Sequence, residues 1–95
     1  MLRDIEIGLY SGSVYTKHRV DDPSEVLSLQ GNVSMKEGKP FVHLHVSLAG
    51  HDFVAQGGHL FSGEVFMTIE LVLRVFEPGL VRKPVGGVFW QMDRE

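Results

Sequence analysis

Four of the chain's five histidines fall between Pro40 and His59, and three of them, His43, His45 and His59, flank the turn that holds His51. The segment reads Pro40-Phe41-Val42-His43-Leu44-His45-Val46-Ser47-Leu48, then a polar turn, then Gln56-Gly57-Gly58-His59. Neutral imidazole is the commonest metal-ligating side chain. Phe41 to Leu48 alternates with period two, which predicts a strand. His43 and His45 then share one face with Phe41 and Ser47, while Val42, Leu44, Val46 and Leu48 form the opposite, core-seeking face. Residues i and i+2 rise about 6.5–7 Å along a strand, and zinc holds each nitrogen at only ~2 Å, so two imidazoles leaning together can share one cation. A third ligand must come from another element. A hairpin turning at Ala49-Gly50-His51-Asp52 brings His59 alongside, and Gly57-Gly58 allows the backbone to approach closely. Three histidines with one open position suit zinc or a similar divalent transition metal. The plainer reading is a histidine pair that bonds to its neighbours or lines a subunit contact; H-x-H alone arises by chance, and Gly-Gly-His across a turn is what adds to it.

The elements that must position these residues read as strands. Asp4 to Tyr10 alternates Ile5, Ile7 and Leu9 against Glu6, Gly8 and Tyr10. Val14 to Val20 follows the Ser11-Gly12-Ser13 turn, with Tyr15, Lys17 and Arg19 on one face. Asp21-Asp22-Pro23-Ser24 is a break, and Glu25 to Ser34 is a strand whose inner face carries Leu27, Leu29 and Val33, with Gly31 as a bulge. Met35 to Pro40 is a hairpin connection with a left-handed glycine. Phe53 to Gln56 is a short return strand, Ser62-Gly63 a small break, and Glu64 to Phe76 the longest strand, with Val65, Met67, Ile69, Leu71, Leu73 and Val75 on one face. Residues 77–95 read as an irregular segment in which Val88-Phe89-Trp90 forms a short strand or an apolar anchor. The sequence therefore predicts one domain, residues 1–95, that is mainly β: an antiparallel sheet of about five to seven strands with little or no helix.

Composition narrows the function. The 95 residues suffice for one small domain, and 43% hydrophobic with 22% charged content is ordinarily globular. The chain has no cysteine, which excludes disulfides, thiolate metal sites and cysteine nucleophiles, and fits a cytoplasmic location. The start is charged rather than apolar, and Val65 to Phe76 is broken by Thr68, Glu70 and Arg74 and too short to span a bilayer. Net charge is −3 with nine Lys and Arg, against the basic face that phosphate binding requires. The densest basic clusters are Lys17-His18-Arg19, closely followed by Asp21-Asp22, and Arg82-Lys83.

The runs Glu25-Val26-Leu27-Ser28-Leu29-Gln30-Gly31-Asn32-Val33-Ser34, Lys39-Pro40-Phe41-Val42-His43-Leu44-His45-Val46, Gly57-Gly58-His59-Leu60, Gly63-Glu64-Val65 and Ile69-Glu70 closely resemble the plant and prokaryote conserved (PPC) domain. The resemblance covers nearly all of Ile5 to Phe76. It implies an α+β fold around an antiparallel sheet, assembled as a trimer, and a kinship with proteins named as DNA-binding, although the basic Arg-Gly-Arg-Pro arm of the plant proteins is absent here. It also places a metal on His43, His45 and His59, a pattern similar to that of acetolactate decarboxylase, where the metal polarises a carbonyl. Family members usually carry a leading strand, a helix and a Gly-rich strand before the segment matching Asp4 to Tyr10. Their expected absence, through a shortened chain or a start lying upstream, would expose Leu27, Leu29 or the Val65–Val75 face unless a partner copy covers it. The leading reading is a non-catalytic homo-oligomer, a trimer, that binds a divalent metal and has a regulatory or ligand-binding role. The alternatives are an oligomeric DNA-binding regulator, and a metal-dependent lyase with Glu70 or Glu64 as acid/base. For Glu70, surface pairing with Arg74 is the simpler expectation.

Overall fold

A computed structural model describes residues 1–87 and 89–94. Seven strands follow one another: β1 (Leu2–Tyr10), β2 (Tyr15–Val20), β3 (Glu25–Lys36), β4 (Lys39–Ala49), β5 (Ala55–Val65), β6 (Leu80–Gly86) and β7 (Phe89–Arg94). Their hydrogen-bonded order is β2-β1-β5-β4-β3-β6-β7. The β1–β2, β1–β5, β4–β5 and β6–β7 pairs are antiparallel. The β3–β6 pair is parallel, so the sheet is mixed rather than wholly antiparallel. A parallel neighbour needs a long connection, and residues 37–79 supply it. No helix occurs among the described residues, so the mainly β expectation holds and the helical half of an α+β fold is not seen.

The chain clusters into two compact units, one of residues 1–31 and 44–70, the other of residues 32–43 and 71–95. The first holds the core. Ile5 and Ile7 from β1, Leu48 and Val46 from β4, with Leu2 and Val20, are buried, and Val26, Leu29, Leu60 and Ile69 pack against them. Ile5 and Leu48 are fully enclosed, a contribution of about 1.5–3 kcal/mol each. Leu9, expected beside Ile5 and Ile7, is exposed at the end of β1. On β3 the expected inner face is also revised. Leu27 and Val33 are exposed, while Val26 and Leu29 both pack on the core. Those two are three residues apart, so the strand changes facing between them, which strict alternation misses.

Two strand expectations are corrected. Glu64 to Phe76 is not one strand: the ladder ends at Val65, and residues 66–79 belong to no strand. Of the apolar face predicted there only Ile69 reaches the core; Val72 is 100% and Val75 90% exposed. Period two specifies faces, but a strand also needs backbone partners, and β-propensity alone does not supply them. Conversely, residues 77–95 are not irregular but carry the β6–β7 hairpin. Pro84 lies beyond the two registered β3–β6 pairs, Met35↔Val81 and Lys36↔Arg82, so its missing N–H is tolerated. Gly86 sits at φ 126° beside a register shift between Pro84 and Gly86. Breaker residues thus mark a bend inside a hairpin. Phe89 and Trp90 are in a strand as expected; Val88 lies outside the described residues.

The β3–β4 turn places Glu37 at φ 52° and Gly38 at φ 77°. Positive φ at both central residues is the requirement of a type I′ hairpin turn, which favours Asn-Gly. Glu37→Asn is therefore expected to raise stability by about 0.5–1 kcal/mol, seen as an upward shift of the urea midpoint with unchanged slope.

Candidate metal centre

β4 and β5 form the hairpin that the spacing predicts. In its loop the Phe53 N–H donates to the Gly50 carbonyl at 3.2 Å, and the Val54 N–H to Asp52 Oδ1 at 3.0 Å. The register sets His45 opposite His59, Val46 opposite Gly58 and Ser47 opposite Gly57. The His45 and His59 rings lie 5.8 Å apart between centroids, inclined at 63°. The return strand is longer than expected, running from Ala55 through Ser62-Gly63 without a break. That dipeptide instead marks the irregular part of the β1–β5 ladder, where register shifts between Arg3 and Glu6 and between Glu6 and Ile7.

Gly57 and Gly58 are needed for this approach. A Cβ on Gly57 would stand 2.1 Å from the Val46 carbonyl oxygen, and one on Gly58 2.5 Å from that of Gly8. Real Cβ atoms do not reach such distances, so only glycine lets β5 pass between β4 and β1 here. Gly8 is also the β1 partner of His59. His59 is thereby gripped in an aromatic box, with Phe61 at 4.5 Å and Tyr15 at 5.1 Å between centroids. Tyr15 packs edge-on to Phe61 at 5.3 Å, and the Lys17 ammonium lies 4.5 Å from the Phe61 ring centre.

Burial, then the neighbouring His45, holds the His59 pKa below the ordinary histidine value. Both effects oppose the imidazolium and keep the ring neutral, the form that ligates a metal. The linkage follows in sign. The folded state takes up the His59 proton less readily than the unfolded chain, so this contribution to stability is complete above about pH 6.5 and is lost as pH falls through the lowered folded value. Metal-free protein is expected to show a melting temperature that drops from pH 7 to pH 5, and His59→Gln is expected to flatten that drop.

His43 lies two residues before His45 on the same strand. Its ring is 6.5 Å from Phe41 between centroids, and its Nδ1 is 3.3 Å from the Arg82 Nη2. One ring nitrogen from each of His43, His45 and His59 can be chosen so that all lie within 4.8 Å of one another. Nitrogens on one zinc at ~2.0–2.1 Å stand about 3.3 Å apart, so small side-chain rotations close the set. His43 and His59 are half-buried and His45 is exposed, which leaves a coordination position facing solvent. Three neutral imidazoles without a carboxylate form a donor set suited to zinc and its neighbours.

The carboxylates considered with this site are placed elsewhere in the chain's bonding. Glu64 pairs with Arg3 at 3.0 Å, and Arg3 draws the Glu64 pKa below the ordinary value. Glu70 is exposed, outside any strand, and not among the grouped ligands. Sequence reasoning missed two features. The Tyr15–Phe61 box was foreshadowed only by the facing of Tyr15 and Lys17 on β2. Arg82 had no signal beyond its pairing with Lys83 in a basic dipeptide, because its approach to His43 depends on the parallel β3–β6 register.

Comparison with known proteins agrees with this architecture. A family model described as the Plants and Prokaryotes Conserved (PCC) domain matches residues 1–77. A plant- and prokaryote-conserved protein of Pyrococcus horikoshii is 43% identical with a TM-score of 0.65, and a metal-containing protein of Archaeoglobus fulgidus is 52% identical with a TM-score of 0.62. Each comparison covers 68% of this chain and 47% of the other, so the chain spans about half the length of these proteins. A candidate DNA-binding protein of Ralstonia eutropha JMP134 superimposes with a TM-score of 0.80 over 99% of this chain and 68% of its own, at 20% identity, a likeness of fold alone. No curated protein matches the chain.

Proposed function

Since this chain belongs to the Plants and Prokaryotes Conserved (PCC) domain family, we propose that it is an oligomeric module that holds a divalent metal, zinc or a close neighbour, on His43, His45 and His59, with a regulatory or ligand-binding rather than catalytic role. The observation that carries this reading is the convergence of three imidazole nitrogens within 4.8 Å. The metal-containing Archaeoglobus fulgidus protein, at 52% identity, supports it. Metal content of the purified protein, set against the His43→Ala/His45→Ala variant, is the test.

The oligomer rests on exposed apolar surface. Met67, Leu71, Val72, Leu73, Val75 and Phe76 are all exposed, a run that water tolerates poorly and a second copy would cover. Three copies is the number that the family resemblance implies. Sedimentation equilibrium at micromolar concentration is expected to give three times the monomer mass, and a monomer there would defeat the proposal.

The DNA-binding reading stands second, on the likeness of fold to the Ralstonia protein. The basic cluster on β2 weakens it. Lys17 pairs with Glu6 at 3.6 Å, and Arg19 with Asp4 at 3.3 Å and Asp21 at 3.9 Å. Cations already facing acids gain less from phosphate, because counterion release scales with the phosphates neutralised. No helix among the described residues is long and apolar enough to cross a membrane.

A further inference from the structure

A cleft of about 470 Å³ opens on the sheet face that carries His45. That volume is within the range of small-molecule sites, roughly 300–1,000 Å³. Ser28, Gln30, His45, Ser47 and the Gly57-Gly58 pair line it, with Val46 between them. Every one of these residues belongs to the compact unit of residues 1–31 and 44–70. The strands explain why they meet. Ser28 and Gln30 flank Leu29 on β3, and His45 and Ser47 flank Val46 on β4. Leu29 packs on the core and Val46 is part of it, so the side chains on either side of each point away from the core. β3 and β4 are neighbours in the sheet, which brings the two polar pairs side by side. On the other flank of β4, the register sets Gly57 opposite Ser47 and Gly58 opposite Val46. Glycine has no side chain to fill the space. The cleft therefore has polar walls and a floor of bare backbone.

The lining decides what chemistry fits. All four polar side chains are exposed, so their polar groups are open to a ligand. Among the described residues that line the cleft there is no acid, lysine or arginine, which gives an ionic ligand no strong counter-charge. Serine hydroxyls, a carboxamide and a neutral imidazole each both donate and accept. A ligand hydroxyl has the same double character and matches any of them. An apolar ligand would cover these groups and leave them unpaired, at a cost. An extended peptide binds by adding to a free strand edge, whereas β4 is bounded on both sides by β3 and β5. The glycine floor lets the C–H face of a sugar ring lie against the backbone.

We infer that the cleft binds a small neutral polyhydroxylated molecule, of the monosaccharide or polyol class, through Ser28, Gln30 and Ser47, with Gly57-Gly58 beneath it. This rests on the ligand-binding role proposed above, and no part of it is routed through the metal. The test is a titration of the full chain, labelled with nitrogen-15, with glycerol, D-ribose and D-glucose, once after chelation and once with zinc added. At least one of the three is expected to shift the Ser47, Gly57 and Gly58 amide signals saturably in both samples, while the Gly12 amide on the β1–β2 turn stays in place. Ser47→Ala and Gln30→Met, each losing one neutral hydrogen bond, should weaken that binding by roughly 2–10-fold. Ser28→Leu, which fills the cleft from β3 alone, should abolish it. Binding unchanged in all three variants overturns the site, as do shifts of equal size at Gly12. Acetate saturating at a lower concentration than the sugars overturns the ligand class. Shifts confined to the zinc-loaded sample overturn the cleft, since the ligand then sits on the metal. No saturation with any probe, in protein that takes up zinc, overturns the cleft and leaves the metal reading standing. Saturable shifts in protein that takes up no zinc support the cleft and overturn the metal reading alone.

Discussion

Purified His43→Ala/His45→Ala protein is expected to carry no divalent metal above background, against close to one ion per chain in the wild type. Each substitution removes a nitrogen, and the single imidazole left at His59 cannot hold a transition metal against water or buffer. Loss of an outer-shell partner alone commonly costs 10–100-fold in affinity, and two direct ligands cost far more. The loss also has a stability readout. A ligand at 100 times its dissociation constant stabilises the folded state by about 2.7 kcal/mol. In a domain of this size 1 kcal/mol moves the melting temperature by roughly 4–8 °C. Chelation of the wild type should therefore lower its melting temperature by on the order of 10–20 °C, and the double variant should melt near the chelated value and ignore the chelator. His43 and His45 are not core residues, so a variant that binds metal normally would show that the convergence of nitrogens has no chemical consequence.

The parts of this site carried by local pattern were legible in the sequence. Alternation from Phe41 to Leu48 placed His43 and His45 on one face, and a hairpin turning at Ala49-Gly50-His51-Asp52 brought His59 alongside. Both signals act over a few residues, where turn geometry fixes register. What depended on distant pairing was hidden. The apolar alternation beyond Val65 looked like a strand because it has a strand's faces, yet nothing in it states whether a neighbouring backbone exists. Pro84 and Gly86-Gly87 looked like coil because they break regular ladders, yet a hairpin tolerates them where pairing with β3 has ended. Arg82 reaches Asn32, Ser34 and His43 across about fifty, forty-eight and thirty-nine residues of sequence, through a parallel register that no short-range signal encodes.

Gly57→Ala tests whether the site is built by backbone proximity. The added Cβ would sit 2.1 Å from the Val46 carbonyl oxygen and 3.1 Å from the Ser47 Cα. Neither neighbour is the flexible end of a side chain. Val46 is buried in the core beside Leu48, so β4 cannot yield without disturbing that packing. Relief has to come from β5, and moving Gly57 moves His59 two residues on, away from His45. The expected cost is about 3 kcal/mol, at the upper end for overpacking, or a fall in melting temperature on the order of 10–20 °C. Metal affinity should fall with it, although no ligand has been touched, because ligating nitrogens need placement to a fraction of an ångström. Gly63→Ala is the matched control on the same strand: the nearest atoms to its Cβ are the Leu2 methyl carbons at 3.7 Å, an ordinary contact. It should keep both stability and metal. Equal tolerance of the two alanines would mean that β5 does not need glycine to reach β4, and that His59 owes its position to the aromatic box around it.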